Sequence, residues 1–134
     1  MRTKAREVVF QIVFASRFAE AERGMKNALY KKEKLTEEDV AYCERILSII
    51  KENEQEFAKI IDEHSCAFPE SRIFPADKSV LLISLAEILK TDDIPAPVSI
   101  NEAANIASKY SSEKSASFIS GILSEVDKNR KCIP

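Results

Sequence analysis

At 134 residues, with 45% hydrophobic and 31% charged residues, the chain is long enough to bury one sizeable core and has the balance of a soluble globular domain. Its formal net charge of −2 gives no global basic field, so any affinity for nucleic acid must come from a local patch. Two glycines and scattered prolines exclude the turn-rich all-β classes, while Cys43, Cys66 and Cys132, beside the single His64, lack metal-ligand spacing and read as spectator thiols in a reducing cytoplasm.

Residues 2–21 contain no helix breaker and carry two patterns. Ala5, Val8, Val9, Ile12 and Ser16 form one stripe at helical spacing, and Phe10, Phe14 and Phe18 form a second, displaced by more than a quarter turn. One stripe goes to the core. The second either joins it or leaves Phe14 and its neighbours for a partner protein, since aromatic patches mark interaction sites. The start of this helix is basic: Arg2 and Arg6 share a face, and Lys4 points elsewhere. Cations are unfavourable at a helix N-terminus, and the conflict suggests a phosphate ligand. On charge alone a solvated terminus is the better account.

Gly24 is expected to break the chain before a short helix through Met25, Ala28 and Leu29, ending in the basic run 31–34. Thr36-Glu37-Glu38-Asp39 reads as a capped helix start with acids in its first turn. Val40, Cys43, Ile46, Leu47 and Ile50 give that helix its apolar face, and a solvated break is expected within residues 51–56 before Phe57, Ile60, Ile61 and His64.

Residues 80–89, VLLISLAEIL, are apolar apart from Ser84 and Glu87. A helix apolar almost all round belongs in the middle of a bundle, and ten residues cannot cross a bilayer, which needs about 20. Pro75 and Asp77 favour its start, and Pro95 and Pro97 bar its continuation. Ser99-Ile100-Asn101-Glu102 has the form of a capping box for the next helix, whose Ala103, Ala104 and Ala107 suit close approach. A serine-rich break at 111–115 precedes the last helix, with Phe118, Ile119, Ile122, Leu123 and Val126 on its apolar face and a basic tail at 128–131 that is expected to be loose.

Catalytic chemistry finds no support. No Walker loop, dinucleotide glycine pattern or nucleophile elbow occurs, and His64 and Cys66 lie two residues apart, a spacing that separates their side chains on a helix. The expectation is an all-α protein that binds something, with no cofactor and no metal.

Several of these segments carry a resemblance. Arg72-Ile73, Asp77-Lys78 and Leu81, then Ala86-Glu87-Ile88-Leu89, Asp92-Asp93-Ile94-Pro95 and Val98-Ser99-Ile100-Asn101-Glu102-Ala103 resemble the signature of the NusB family of transcription antitermination factors. Phe118-Ile119-Ser120-Gly121-Ile122-Leu123 is similar to the family's Phe-Val-Asn-Gly-Val-Leu segment, and Ala5-Arg6-Glu7 with Gln11 and Phe14 is similar to its first helix. Phe14 stands where a tyrosine is common, Phe68 where a tryptophan is frequent, and Lys114 where an acid is frequent.

The resemblance implies a compact bundle of about seven helices, an amino-terminal three-helix part packed on a carboxy-terminal four-helix part, forming one RNA-binding domain over 1–134. It implies a cytoplasmic, non-enzymatic elongation factor that binds single-stranded box A RNA of ribosomal RNA leaders together with the ribosomal protein NusE, at the RNA polymerase elongation complex. Arg2, Lys4, Arg6, Lys109, Lys114 and Phe118 would meet RNA, and Phe14 and Asp77 would meet NusE. Homodimer formation stays open. A stand-alone helical interaction module, and the RNA-binding domain of a ribosomal RNA methyltransferase, are the alternatives.

Overall fold

Helix α5 (Pro75–Lys90) runs through the middle of the molecule and touches α1 (Arg2–Ser16), α3 (Glu37–Glu52), α4 (Glu54–His64), α6 (Ala96–Tyr110) and α7 (Glu113–Cys132). The computed structural model describes residues 2–16, 23–65 and 73–132, and within these every element is helical. The seventh helix, α2 (Arg23–Lys32), packs on α1, and α6 and α7 form the most closely packed pair. The sequence positions Arg17, Phe18, Cys66, Phe68 and Arg72 lie outside the described residues.

The centrality of α5 follows from its composition. Every residue from Val80 to Ile88 is buried, so no face is left for solvent; Leu89, expected to be fully buried as well, is half-buried at the helix end. Pro75 occupies the first turn, where its missing N–H costs nothing, and Asp77 places a carboxylate at the positive helix end. Ser84 satisfies its hydroxyl within the helix, donating to the Val80 carbonyl at 3.0 Å. Helix α3 opens as its sequence implies: Thr36 Oγ1 accepts the Asp39 N–H at 3.1 Å. The break within 51–56 is a single residue, Asn53, between α3 and α4.

Three boundaries differ from expectation. Gly24 lies inside α2, in its first turn, where a glycine weakens a helix little. Helix α6 begins at Ala96, not at Ser99: Pro95 and Pro97 sit where N–H groups have no intrahelical partner, which frees Ser99 and Glu102 for other work. The basic tail is helical through Cys132, pinned where Arg130 donates to the Ile88 carbonyl at 2.7 Å and to Asp127 at 2.6 Å.

Both Leu82 and Leu85 are completely buried in α5. Replacing either by alanine removes buried methyl groups and leaves a cavity that close-packed neighbours cannot fill, so we expect a loss of about 2–5 kcal/mol in urea denaturation. A loss below about 1 kcal/mol would show that α5 is not at the centre of the core.

Candidate nucleic-acid interface

The basic start of α1 is divided by the fold into an internal and an external set. Arg6 is only 4% exposed. Its Nε and Nη2 donate to Glu87 Oε2 and Oε1 at 2.8 and 3.1 Å, a bidentate pair, and Nη1 lies 3.5 Å from Glu102 Oε1. Glu87, 1% exposed, also accepts from the Tyr42 hydroxyl and, at 2.7 Å, from Ser99 Oγ. Thr3 Oγ1 donates to Glu102 Oε1 at 2.8 Å and ties the first turn of α1 to α6. Burial works against the Arg6 charge, but the hydrogen bond and charge of Glu87 more than offset it and hold the guanidinium above its ordinary pKa. Burial pushes the Tyr42 phenol well above its ordinary range, and the Glu87 charge adds to the effect, so Tyr42 remains a neutral donor.

Arg6 is therefore no surface cation. The expectation that it contacts phosphate is corrected: its donors are engaged inside the protein, where a lone carboxylate on α5 would otherwise be stranded. In the sequence Glu87 stands only as an interruption of the apolar run 80–89, with no partner assigned to it. An acid inside an otherwise apolar helix was the available signal, because a carboxylate surrounded by leucines needs a buried cation.

The external set is Arg2 and Lys4. Arg2 is exposed, with its guanidinium carbon 4.9 Å from the Tyr42 ring centroid, within cation–π range. Lys4 is exposed and pairs with Glu33 at 3.4 Å. Farther along, Lys109 pairs with Glu7 at 2.8 Å and lies 5.4 Å over the Tyr110 ring; the Glu7 hydrogen bond raises its pKa. The bridges Thr3–Glu102 and Glu7–Lys109 and the ring contact Phe10–Tyr110 advance together along both helices, so long side chains join α1 and α6 in the same chain direction. Lys114, in the first turn of α7, is exposed and makes no ion pair among the described residues. Phe118 is half-buried against the core, so at most part of its ring faces outward.

Toward the other end of α1, Phe14 is half-buried, and its ring stacks on Phe10 at 5.7 Å with an interplanar angle of 14°. Phe10 is buried and meets Tyr110 at 4.8 Å. The two readings of the second stripe both hold in part: Phe10 is core, and Phe14 sits at its edge. Asp77 departs from the expected partner contact. It is 5% exposed and accepts from Ser115 Oγ at 2.9 Å, joining the starts of α5 and α7. Its Oδ1 is buried without a hydrogen-bond partner. Asp77 thus acts through the packing of α5 on α7. Along α1, the span from Arg2 to Phe14 is about 18 Å at 1.5 Å per residue.

Among the described residues, no group of His, Cys, Asp and Glu is placed to hold a metal ion, and no helix is long and apolar enough to cross a membrane. Cys43 is buried, its thiol pushed up to about 12 by burial, and inert as a nucleophile.

The chain and its fold are similar to known proteins. The model of the NusB family matches residues 3–128. The chain is 35% identical over 133 residues to the transcription antitermination protein NusB of Clostridium perfringens (strain SM101), covering 97% of this chain and 98% of that protein. The fold is similar to T. maritima NusB, with a TM-score of 0.87 and 28% identity over 96% of this chain and 91% of that one. It is also similar in fold to a structure of antitermination factors NusB and NusE in complex with dsRNA, with a TM-score of 0.83 and 18% identity, over 96% of each chain. The family match spans nearly the whole chain and reaches all seven helices of the described residues, and the chain belongs to the NusB family.

Proposed function

We propose that this protein is a transcription antitermination factor that binds single-stranded box A RNA of ribosomal RNA leaders together with NusE, at the RNA polymerase elongation complex. The observation that carries this function is the near full-length match to relatives that bear the antitermination name. The chain acts in the cytoplasm as one RNA-binding unit over residues 1–134, by binding alone, with no catalytic step and no cofactor.

The exposed cations Arg2, Lys4, Lys109 and Lys114 are the phosphate contacts of this function, and the outward part of Phe118 meets a base. Arg6 positions Arg2 and Lys4 by fixing their helix to α5. Phe14, at the edge of the aromatic row, is the anchor for NusE. With a net charge of −2, affinity for RNA alone is modest and rises when a basic partner joins.

Neutralising about three to four phosphates on a single strand gives a slope of roughly −2 to −3 for log affinity against log salt. Arg2→Ala with Lys4→Ala is expected to flatten that slope by about 1.4 in a fluorescence-anisotropy titration with box A RNA. An unchanged slope, or no RNA binding by the wild type with NusE present, would refute the assignment.

For the protein partner, Phe14→Ala should weaken NusE binding by about tenfold or more in calorimetry, as expected for a truncated aromatic anchor. Phe14 is only partly buried at the edge of the core, so the helical far-UV spectrum, which checks folding, should persist. Unchanged NusE affinity would show that Phe14 is an edge of the core and nothing more.

A further inference from the structure

A cleft of about 260 Å³ between the start of α1 and α3 is lined by Arg2, Glu38, Ala41, Tyr42 and Arg45. Its two arginines come from different helices. Among the described residues Arg2 has no ion pair, and it rests on the Tyr42 ring. Arg45 donates from Nη2 to Asp93 Oδ1 at 3.0 Å, with both side chains about half exposed. Asp93 belongs to the connector between α5 and α6, and it feels the charge of Arg2 as well as that of Arg45. A single loop carboxylate therefore sits in the field of both arginines.

We propose that this cleft is an additional phosphate subsite for single-stranded RNA, extending the RNA path from Arg2 across α3 to Arg45, and that Asp93 occupies Arg45 until a phosphodiester displaces it. The subsite rests on the RNA-binding function proposed above and adds to it a residue that no sequence pattern singled out. Guanidinium groups match phosphate oxygens in geometry and hydration, and two of them lining one cleft from different helices can share one phosphate. Tyr42 holds Arg2 in place, so one wall is already ordered before RNA arrives. The cleft is smaller than the usual small-molecule site and suits one backbone phosphate with its sugar rather than a whole free ligand.

The internal carboxylate has a definite consequence. The charges of Arg2, Arg45, Glu38 and Asp93 cancel at the cleft, which leaves the subsite neutral in the free protein. An exposed Arg–Asp pair contributes little to stability, so its exchange for a phosphate costs the fold almost nothing. Release of Asp93 into solvent leaves the arginines in excess.

A double-mutant cycle with box A RNA, titrated across a salt series in the presence of NusE, tests the proposal. Arg45→Ala should lower affinity about fivefold and flatten the salt slope by about 0.7, the contribution of one phosphate on a single strand. Asp93→Asn should raise affinity about threefold, and Arg45→Ala in the same chain should abolish that gain. Arg45→Ala with wild-type affinity and slope would overturn the subsite while leaving RNA binding in place. A gain from Asp93→Asn that survives in the double variant would also overturn it, because the aspartate would then act as a general charge. Failure of the wild type itself to bind the RNA would remove both the subsite and the function on which it rests.

Discussion

Glu87 sits in the most apolar helix of the protein, where an unpaired carboxylate would cost several kcal/mol. Donors from three other helices converge on it: Arg6 from α1, Tyr42 from α3 and Ser99 from α6. Glu102 and Thr3 extend the same network to the surface. Apolar packing gathers these helices around α5 without specifying their rotation or register. A buried polar cluster does specify them, with Glu102 Oε2 its one atom lacking a hydrogen-bond partner among the described residues, because sliding α1 by one turn would strand both Arg6 and Glu87. The arrangement of α1 relative to α3, α5 and α6 depends on this cluster.

The same cluster separates the cations at the start of α1 into one held inside and two at the surface. With Arg6 held inside, Arg2, one turn before it on the same face, lies over the Tyr42 ring that also covers Arg6, 5.7 Å away, and Lys4 emerges on another face. Side-chain bridges Thr3–Glu102 and Glu7–Lys109 link α6 to α1 and hold Lys109 against the first helix. A helix N-terminus rich in cations is locally unfavourable, and here one of those cations is neutralised by a buried acid while another lies over an aromatic ring. The sequence-level conflict at residues 2–6 is resolved by tertiary structure.

Much of the architecture was legible in the sequence because it is written in local patterns. The run 80–89 announced a central helix, Thr36 announced the cap of α3, and the prolines at 75, 95 and 97 marked helix starts and stops. The site was less legible, since burial of a charged side chain is decided by residues far away in the chain. Arg6 and Glu87 are 81 positions apart, and nothing local distinguishes Arg6 from Arg2. Ser99 and Glu102 fitted a capping box well, yet Pro95 and Pro97 opened the helix earlier and those side chains went to the cluster. Asp77 has the place of a helix-start acid, and only the approach of Ser115 shows that it faces another helix end.

The central claim is that Arg6 and Glu87 act as one structural unit. A double-mutant cycle by urea denaturation tests it most directly. Glu87→Gln and Arg6→Gln should each lower the unfolding free energy by about 3–5 kcal/mol, because either leaves a buried charge without its partner. The double variant should lose less than the two combined, by a coupling of about 1–3 kcal/mol. Single losses below about 1 kcal/mol, or losses that simply add, would contradict the account, since they would mean that Arg6 and Glu87 do not depend on each other.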